Sequence, residues 1–345
     1  MTLFTGCYTA LITPFRANRE VDYEGIQRLV EFQLSQGASG ILTCGTTGES
    51  PTLDWSEHNK VTERVHEYTH GKGLTIAGTG SNSTQEAIEG TMHAASTGIT
   101  AVLLVDPYYN GPSSMEIRRE YVEPIAKRFP EVQIIPYVIP GRTGTQLLPQ
   151  DIAQLTAEYP NVRCVKEATG DLENMRLTRK LCGEDFDILS GDDDKTFAMM
   201  TLPEIAASGV ISVTSNFAPR AISDMVHYIQ DGNYKEAKQL YEILQPLFAA
   251  ITVKTTEQTS FGPVTVRARN PLATKTLMNV LGMPSGPCRQ PLGKMTRQGL
   301  ETVLQAAHKV YEAHPEIFHP IEAAFDVDMM DRLNNGSLLE GLYYA

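Results

Sequence analysis

Lys166 is the residue of this chain with the most chemistry to offer. It lies in "VKEATG", near the end of a short apolar run, with Cys164 and Ala168 on the same face of the expected strand. A lysine buried in a sheet loses its hydration, so its pKa falls, and the neutral amine can attack a ketone to form a Schiff base. The plainer alternative is a lysine paired with Glu167 or another carboxylate. Tyr137, in "YVIPGRTG", could relay protons, and Arg142 just after it could clamp a carboxylate with its planar fork. The alternative there is a packing tyrosine and a solvated arginine. "CGTTGES" (44–50) offers the hydroxyls of Thr46 and Thr47 and several backbone N–H groups to an anion, or it is a tight turn before a helix. "DPYYNGP" (106–112) sets Tyr108 beside Tyr109 in a proline-bounded turn. Successive residues point to different sides, so at most one of the pair faces a site in its own chain.

Two further patterns read as structural. The three consecutive carboxylates of "GDDD" (191–194) cannot all face one ion, and they read as a solvated helix start. His66 and His70 in "VHEYTH" are four apart, but HExxxH is not the HExxH zinc pattern, and they fall on an expected outer helix. We expect no metal site.

Residues so scattered need a scaffold that gathers them. Short apolar β-rich runs recur at 7–14, 40–45, 74–79, 101–107, 132–140, 163–168, 187–192 and 209–214. Helical patterns lie between them. In 22–37, Ile26, Leu29, Val30 and Leu34 recur at helical spacing and Gly37 can end the helix. In 81–98, Ser83 with Glu86 fits a capping box. Eight such alternations predict a closed (β/α)8 TIM barrel, whose chemistry would sit at the C-terminal ends of the strands. A doubly wound open sheet is the alternative, but no GxGxxG or GxxxxGK[ST] turn follows any strand. We expect a barrel catalytic domain over 1–231, a C-terminal helical region over 232–323 and a tail over 324–345 that the sequence does not place. The stretch "EQTSFGPVTVRARNPLATK", between two amphipathic helices, reads as irregular.

Bulk properties narrow the partners. The 345 residues carry a formal charge of −12, which argues against nucleic acid or an anionic membrane surface. There is no apolar run of about 18 residues, the length that predicts a membrane span. The first residues lack a basic segment followed by an apolar stretch, so we expect no secretory leader. The five cysteines are scattered, odd in number and without a CxxC, which predicts free thiols in the reducing cytoplasm.

"GTTGES", "PYYN", "YVIPGRTG", "VKEATGD", "SGDDD" and "GVISVTSN" follow one another at consecutive expected strand ends. In order and spacing they resemble the dihydrodipicolinate synthase / N-acetylneuraminate lyase family of class I aldolases. The resemblance covers about residues 5–225 closely, and "NPLATKTLMNVLG" with "CRQPL" extends it loosely. The Thr-Thr pair, the double tyrosine and the arginine of "PGRTG" resemble the family's synthases more than its sialic acid lyases.

The resemblance implies a mechanism. Thr47 and nearby backbone N–H groups would hold the carboxylate of pyruvate, and Lys166 would form an imine with its ketone. The derived enamine would attack the aldehyde of aspartate 4-semialdehyde. Tyr137, Thr46 and Tyr109 would relay protons, with Tyr109 entering from a neighbouring subunit of a homodimer or homotetramer. Arg142 would bind the semialdehyde carboxylate, Ile211 would set its backbone carbonyl near the lysine, and Gly191 of "SGDDD" would border the substrate. No metal or organic cofactor is implied, because the imine is the electron sink. L-lysine is the implied feedback inhibitor, in a cleft matching Ser50, Trp55, His58, Asn82, Glu86 and Tyr108. Other readings are another pyruvate aldolase of the family, acting on a sugar acid or hydroxy-oxoglutarate, and a non-catalytic keto-acid-binding regulator. The sequence departs from the family pattern at Val138, in the longer segment 257–269, and in the extra tail after about residue 318.

Overall fold

A computed structural model describes residues 2–344. Eight parallel strands close into a barrel: β1 (Gly6–Ala10), β2 (Gly40–Thr43), β3 (Leu74–Gly78), β4 (Ala101–Val105), β5 (Gln133–Val138), β6 (Cys164–Glu167), β7 (Asp187–Ser190) and β8 (Gly209–Ser212), each paired with its neighbour in sequence and β8 with β1. This is the expected (β/α)8 architecture. Each strand lies within, or one residue outside, an expected apolar run.

Strand alternation sorts the side chains into two layers. Tyr8, Leu42, Ile76, Leu103, Ile135, Tyr137, Cys164, Leu189 and Ile211 fill the barrel interior. Val102, Leu104, Ile134, Val138, Val165 and Ile188 face outward against the helices. Val138 therefore points away from the interior that Tyr137 enters, so its departure from the family pattern leaves that interior unchanged.

Local signals position the outer helices. Asp22 caps the helix Tyr23–Ser35 by accepting from the Gly25 N–H at 3.1 Å, Ile26, Leu29 and Val30 of that helix are buried, and Gly37 turns the chain at φ +94°. Ser83 accepts from the Glu86 N–H at 3.4 Å, but the Glu86 carboxylate takes the Ser81 hydroxyl instead. Only half of the expected capping box forms.

The C-terminal region corrects one expectation. The stretch expected to be irregular, from Glu257, carries most of an antiparallel hairpin, β9 (Val253–Thr259) and β10 (Gly262–Ala268), with Thr259 paired to Gly262 across the turn and β9 starting at Val253, where the expected helix was to end. Its sequence escapes notice because the strands are mostly polar: Val253 and Ala268 are buried at the base, whereas Phe261 at the tip is fully exposed. The helices Tyr234–Ala250, Leu272–Val280 and Arg297–Ala313 pack beside it. The tail is ordered too. Met329 and Leu333 of the short helix Met329–Asn334 are buried, and the Arg332 Nε donates to the Val280 carbonyl at 2.7 Å. Leu277, Val303, Phe318 and Met329 join Ile26 and Val226 of the barrel helices in one apolar cluster. Among the described residues no helix is long and apolar enough to cross a membrane.

Candidate active site

The mouth of the barrel opens into two adjoining cavities, of about 460 and 440 Å3, which share Thr46, Tyr137, Ile139 and Arg142. Lys166 lines the second. It is 4% exposed, and β6 places it in register with Tyr137 of β5. Its Nζ lies 4.2 Å from the centre of the Tyr137 ring. The simple alternative of a pair with Glu167 fails, because alternation sends Glu167 to the other face. There its carboxylate accepts from the Thr169 N–H at 2.7 Å and the Asn174 amide at 2.9 Å. Burial pulls the Lys166 amine down to about 8, with Asp192 and Asp193 opposing the shift. A substantial share of such an amine is neutral near pH 8, which suits nucleophilic attack on a carbonyl.

Glycine makes the space around that amine. A Cβ on Gly191 would stand 2.8 Å from the Ala168 Cβ and 3.2 Å from the Lys166 Cε, so any larger residue would crowd the lysine. Burial pushes the Tyr137 hydroxyl well above the ordinary phenol range, while Arg142 and a hydrogen bond with Thr46 oppose it. Tyr137 thus holds its proton and shares it with Thr46, which fits a relay. Arg142 sits in the short helix Pro140–Thr143 at the rim and donates to the Asn270 carbonyl at 2.9 Å. Thr47 is buried, and its hydroxyl accepts from the Asn270 amide at 2.9 Å, leaving its own proton to donate.

The expected residues divide into groups. Lys166, Tyr137, Thr46, Thr47, Arg142 and Gly191 meet around one cavity. Ile211 packs in the barrel interior and lines neither cavity with its side chain. Tyr109 is 85% exposed and also lines neither, so a single chain does not bring it to Lys166. Ser50, Trp55, His58, Asn82, Glu86 and Tyr108 all line the other cavity. The Asn82 Oδ1 accepts from the backbone N–H groups of both Tyr108 and Tyr109, at 2.7 and 3.2 Å, and so shapes the tyrosine turn. His58 is buried with Cys44 and the Gly78 backbone beside its ring, and these contacts favour its charged form against desolvation.

Reading "GDDD" as a solvated helix start is corrected. Asp193 is buried and its carboxylate takes the N–H groups of Val213 and Thr214 at 3.0 and 2.9 Å, pinning the loop after β8. Asp192 is half-buried on the Lys166 cavity, and burial raises it to about 6. The aspartates diverge, as consecutive residues must, but the divergence turns two of them inward. Sequence reasoning also passed over Asn270, which ties Thr47 and Arg142 together, and Glu49, which pairs with Lys275 at 2.7 Å. An Asn-Pro at a helix start and a glutamate closing "GTTGE" were their only signals.

An amine, a phenol, hydroxyls and a guanidinium at the mouth of a (β/α)8 barrel make up the equipment of an imine-forming aldolase. Comparison with known proteins narrows this class. The description of the Dihydrodipicolinate synthetase family matches residues 3–310, and the chain belongs to that family. It is 41% identical over 290 residues to the 4-hydroxy-tetrahydrodipicolinate synthase of Methanococcus maripaludis, covering 84% of this chain and 93% of that one. The enzyme of the same name from Citrifermentans bemidjiense is 40% identical over 312 residues, covering 90% and 99%. Among solved structures, the synthase of the methanotroph Methylacidiphilum fumariolicum superposes with a TM-score of 0.83 at 34% identity, over 92% of this chain and 99% of that one. The Cyanidioschyzon merolae enzyme with lysine bound superposes with a TM-score of 0.81 at 35% identity, over 90% and 99%.

Proposed function

We propose that the protein condenses pyruvate with L-aspartate 4-semialdehyde to 4-hydroxy-tetrahydrodipicolinate, in lysine and diaminopimelate biosynthesis, through an imine on Lys166. The synthases to which it is about 40% identical carry the name of this activity. The observation that carries the chemistry is a buried Lys166 amine beside the Tyr137 ring, with no carboxylate of the described residues in ion-pair contact. The neutral amine attacks the pyruvate ketone and water leaves, giving the imine. Thr47 and neighbouring backbone groups hold the pyruvate carboxylate. Loss of a methyl proton gives the enamine, whose carbon forms the new bond to the aldehyde while the aldehyde oxygen takes a proton; the acceptor's own amine then adds to the regenerated imine carbon and expels the Lys166 amine, closing the ring and freeing the enzyme. Tyr137 gives and takes protons on the groups attached to the imine carbon, with Thr46 as its link, and Arg142 receives the acceptor carboxylate. Ile211 contributes through its backbone carbonyl, and Gly191 keeps the space open.

The test is reduction by borohydride in the presence of pyruvate, followed by peptide mapping. One pyruvate-derived group on Lys166, together with product formation from the semialdehyde, is the expected result. Label on another lysine, or none, rejects the mechanism.

Two extensions complete the reading. The active form is a homodimer or homotetramer in which Tyr109 of one subunit completes the relay of its neighbour; its 85% exposure in the single chain supports this. Mixing inactive Tyr109→Phe and Lys166→Ala enzymes should restore activity, and no recovery despite demonstrated subunit exchange rejects a shared site. L-lysine inhibits from the cavity lined by Ser50, Trp55, His58, Asn82, Glu86 and Tyr108. Glu86 and the Ser50 carbonyl would accept from its ammonium groups, Asn82 and Tyr108 would meet its carboxylate, and the indole face would cover its stem. Initial rates should fall with submillimolar L-lysine but not D-lysine, and Trp55→Ala should relieve the effect. Free thiols at all five cysteines support a cytoplasmic setting.

A further inference from the structure

The hairpin β9–β10 brings two more cations to the Lys166 cavity. Ala268 is buried in the core at the hairpin base, so alternation turns Arg267 and Arg269, its neighbours on either side, the other way. Both line the Lys166 cavity together with Arg142. The Arg269 Nη1 donates to the Gly141 carbonyl at 3.3 Å, and the Arg142 Nη2 donates to the Asn270 carbonyl at 2.9 Å. Each of these arginines thus bonds the backbone next to the other, and the hairpin base is tied to the rim helix Pro140–Thr143. Among the described residues no carboxylate is in ion-pair contact with any of the three guanidinium groups. Desolvation, and after it repulsion from Arg269 and Arg267, lowers the Arg142 pKa, against Tyr137 and Asp192. An anion bound among them would relieve that repulsion.

We propose that Arg267 and Arg269 are specificity-determining residues that bind, with Arg142, the carboxylate of the aldehyde substrate. The hairpin then selects acceptors that carry a carboxylate and leaves the pyruvate step alone. This rests on the condensation proposed above. Charge and position support the division of labour. In the condensation proposed above, pyruvate takes the part of the cavity lined by Lys166 and the Thr46–Thr47 turn. The hairpin arginines stand at the opening, where the second substrate enters, and their forks suit a planar carboxylate. Asp192, on the same cavity, is available to the ammonium group of an amino-acid aldehyde.

The experiment is steady-state kinetics with both substrates for Arg267→Ala, Arg269→Ala, the double variant and Arg269→Lys, with borohydride trapping of pyruvate in parallel. The KM for aspartate 4-semialdehyde should rise about tenfold for each single substitution, the loss of one charge-assisted contact. It should rise further in the double variant and recover in part with Arg269→Lys. The KM for pyruvate and the yield of trapped imine on Lys166 should stay within about twofold of the parent, which also shows that the variants fold. Phe261→Ser, at the hairpin tip, should alter neither KM. An unchanged semialdehyde KM in the double variant overturns the proposal, as does an equal rise in both KM values. Absence of trapped imine in the parent enzyme overturns the condensation reading itself, and this proposal with it.

Discussion

Lys166 and Lys275 are both deeply buried, at 4% and 1% exposure, and each holds its Nζ 4.2 Å from the centre of an aromatic ring, Tyr137 and Phe15 respectively. Their surroundings otherwise have little in common. The Lys275 Nζ donates to Glu49 at 2.7 Å and to the carbonyls of Thr13 and Pro287, each at 3.0 Å, so its three protons all have acceptors. Burial pulls its pKa down and Glu49 opposes the pull. The other Glu49 oxygen accepts from the Arg289 N–H at 2.9 Å. This pair clips the "GTTGE" turn to the C-terminal helix Leu272–Val280, and so holds Thr46 and Thr47 where the Lys166 cavity needs them. Among the described residues Lys166 has no such acceptors, and burial depresses its pKa with only the charges of Asp192 and Asp193 opposing. Burial alone does not distinguish a structural lysine from a reactive one; the count of acceptors does.

Exchanging the partners should break the comparison. Lys166→Ala should lower kcat/KM by about a thousandfold or more, because the covalent route is lost. Its melting temperature should not fall by more than a few degrees, since no ion pair or hydrogen bond is stranded. A large loss of stability with activity retained would reverse the roles assigned to the two lysines.

Glu49→Gln should do the opposite. It leaves a buried Lys275 charge uncompensated and should cost about 3–5 kcal/mol in denaturant unfolding. Adding Lys275→Met should recover part of that loss. Strict additivity of the two substitutions would show that the pair is not coupled.

The smallest effect is the dependence on pH. With its pKa lowered to about 8, Lys166 should form the pyruvate imine faster as pH rises through 8, then level off. The unfolded lysine keeps its proton to about 10.5. Between these values the unfolded state therefore binds more protons, so this residue makes stability rise with pH there. Lys166→Met should remove that rise, as measured by melting temperature across the window. A slope that survives the substitution would place the titration elsewhere.

Some of this was open to sequence reasoning and some was not. The barrel was legible because buried parallel strands are short apolar runs, and eight of them alternate with helical periodicity. Lys166, Tyr137 and the Thr46–Thr47 turn were legible because they interrupt or end such runs with polar groups, which has a desolvation cost unless the groups are used. The hairpin was not legible, since its strands are polar on most positions and its buried base is only Val253, Thr255 and Ala268. The aspartates misled because a run of like charges resembles a solvated helix start, and only the fold of the loop after β8 shows the Val213 and Thr214 N–H groups that Asp193 satisfies.

What the sequence determined by itself was the period of each segment and the residue types at strand ends. Those depend on neighbours a few positions apart, within reach of local geometry. The tertiary structure alone decided which polar groups acquire partners. Glu49 and Lys275 are separated by 226 positions, and Asn270 and Thr47 by 223. No local pattern encodes such distances, because a hydrogen bond or a buried charge pair depends on where two surfaces meet once the barrel has closed.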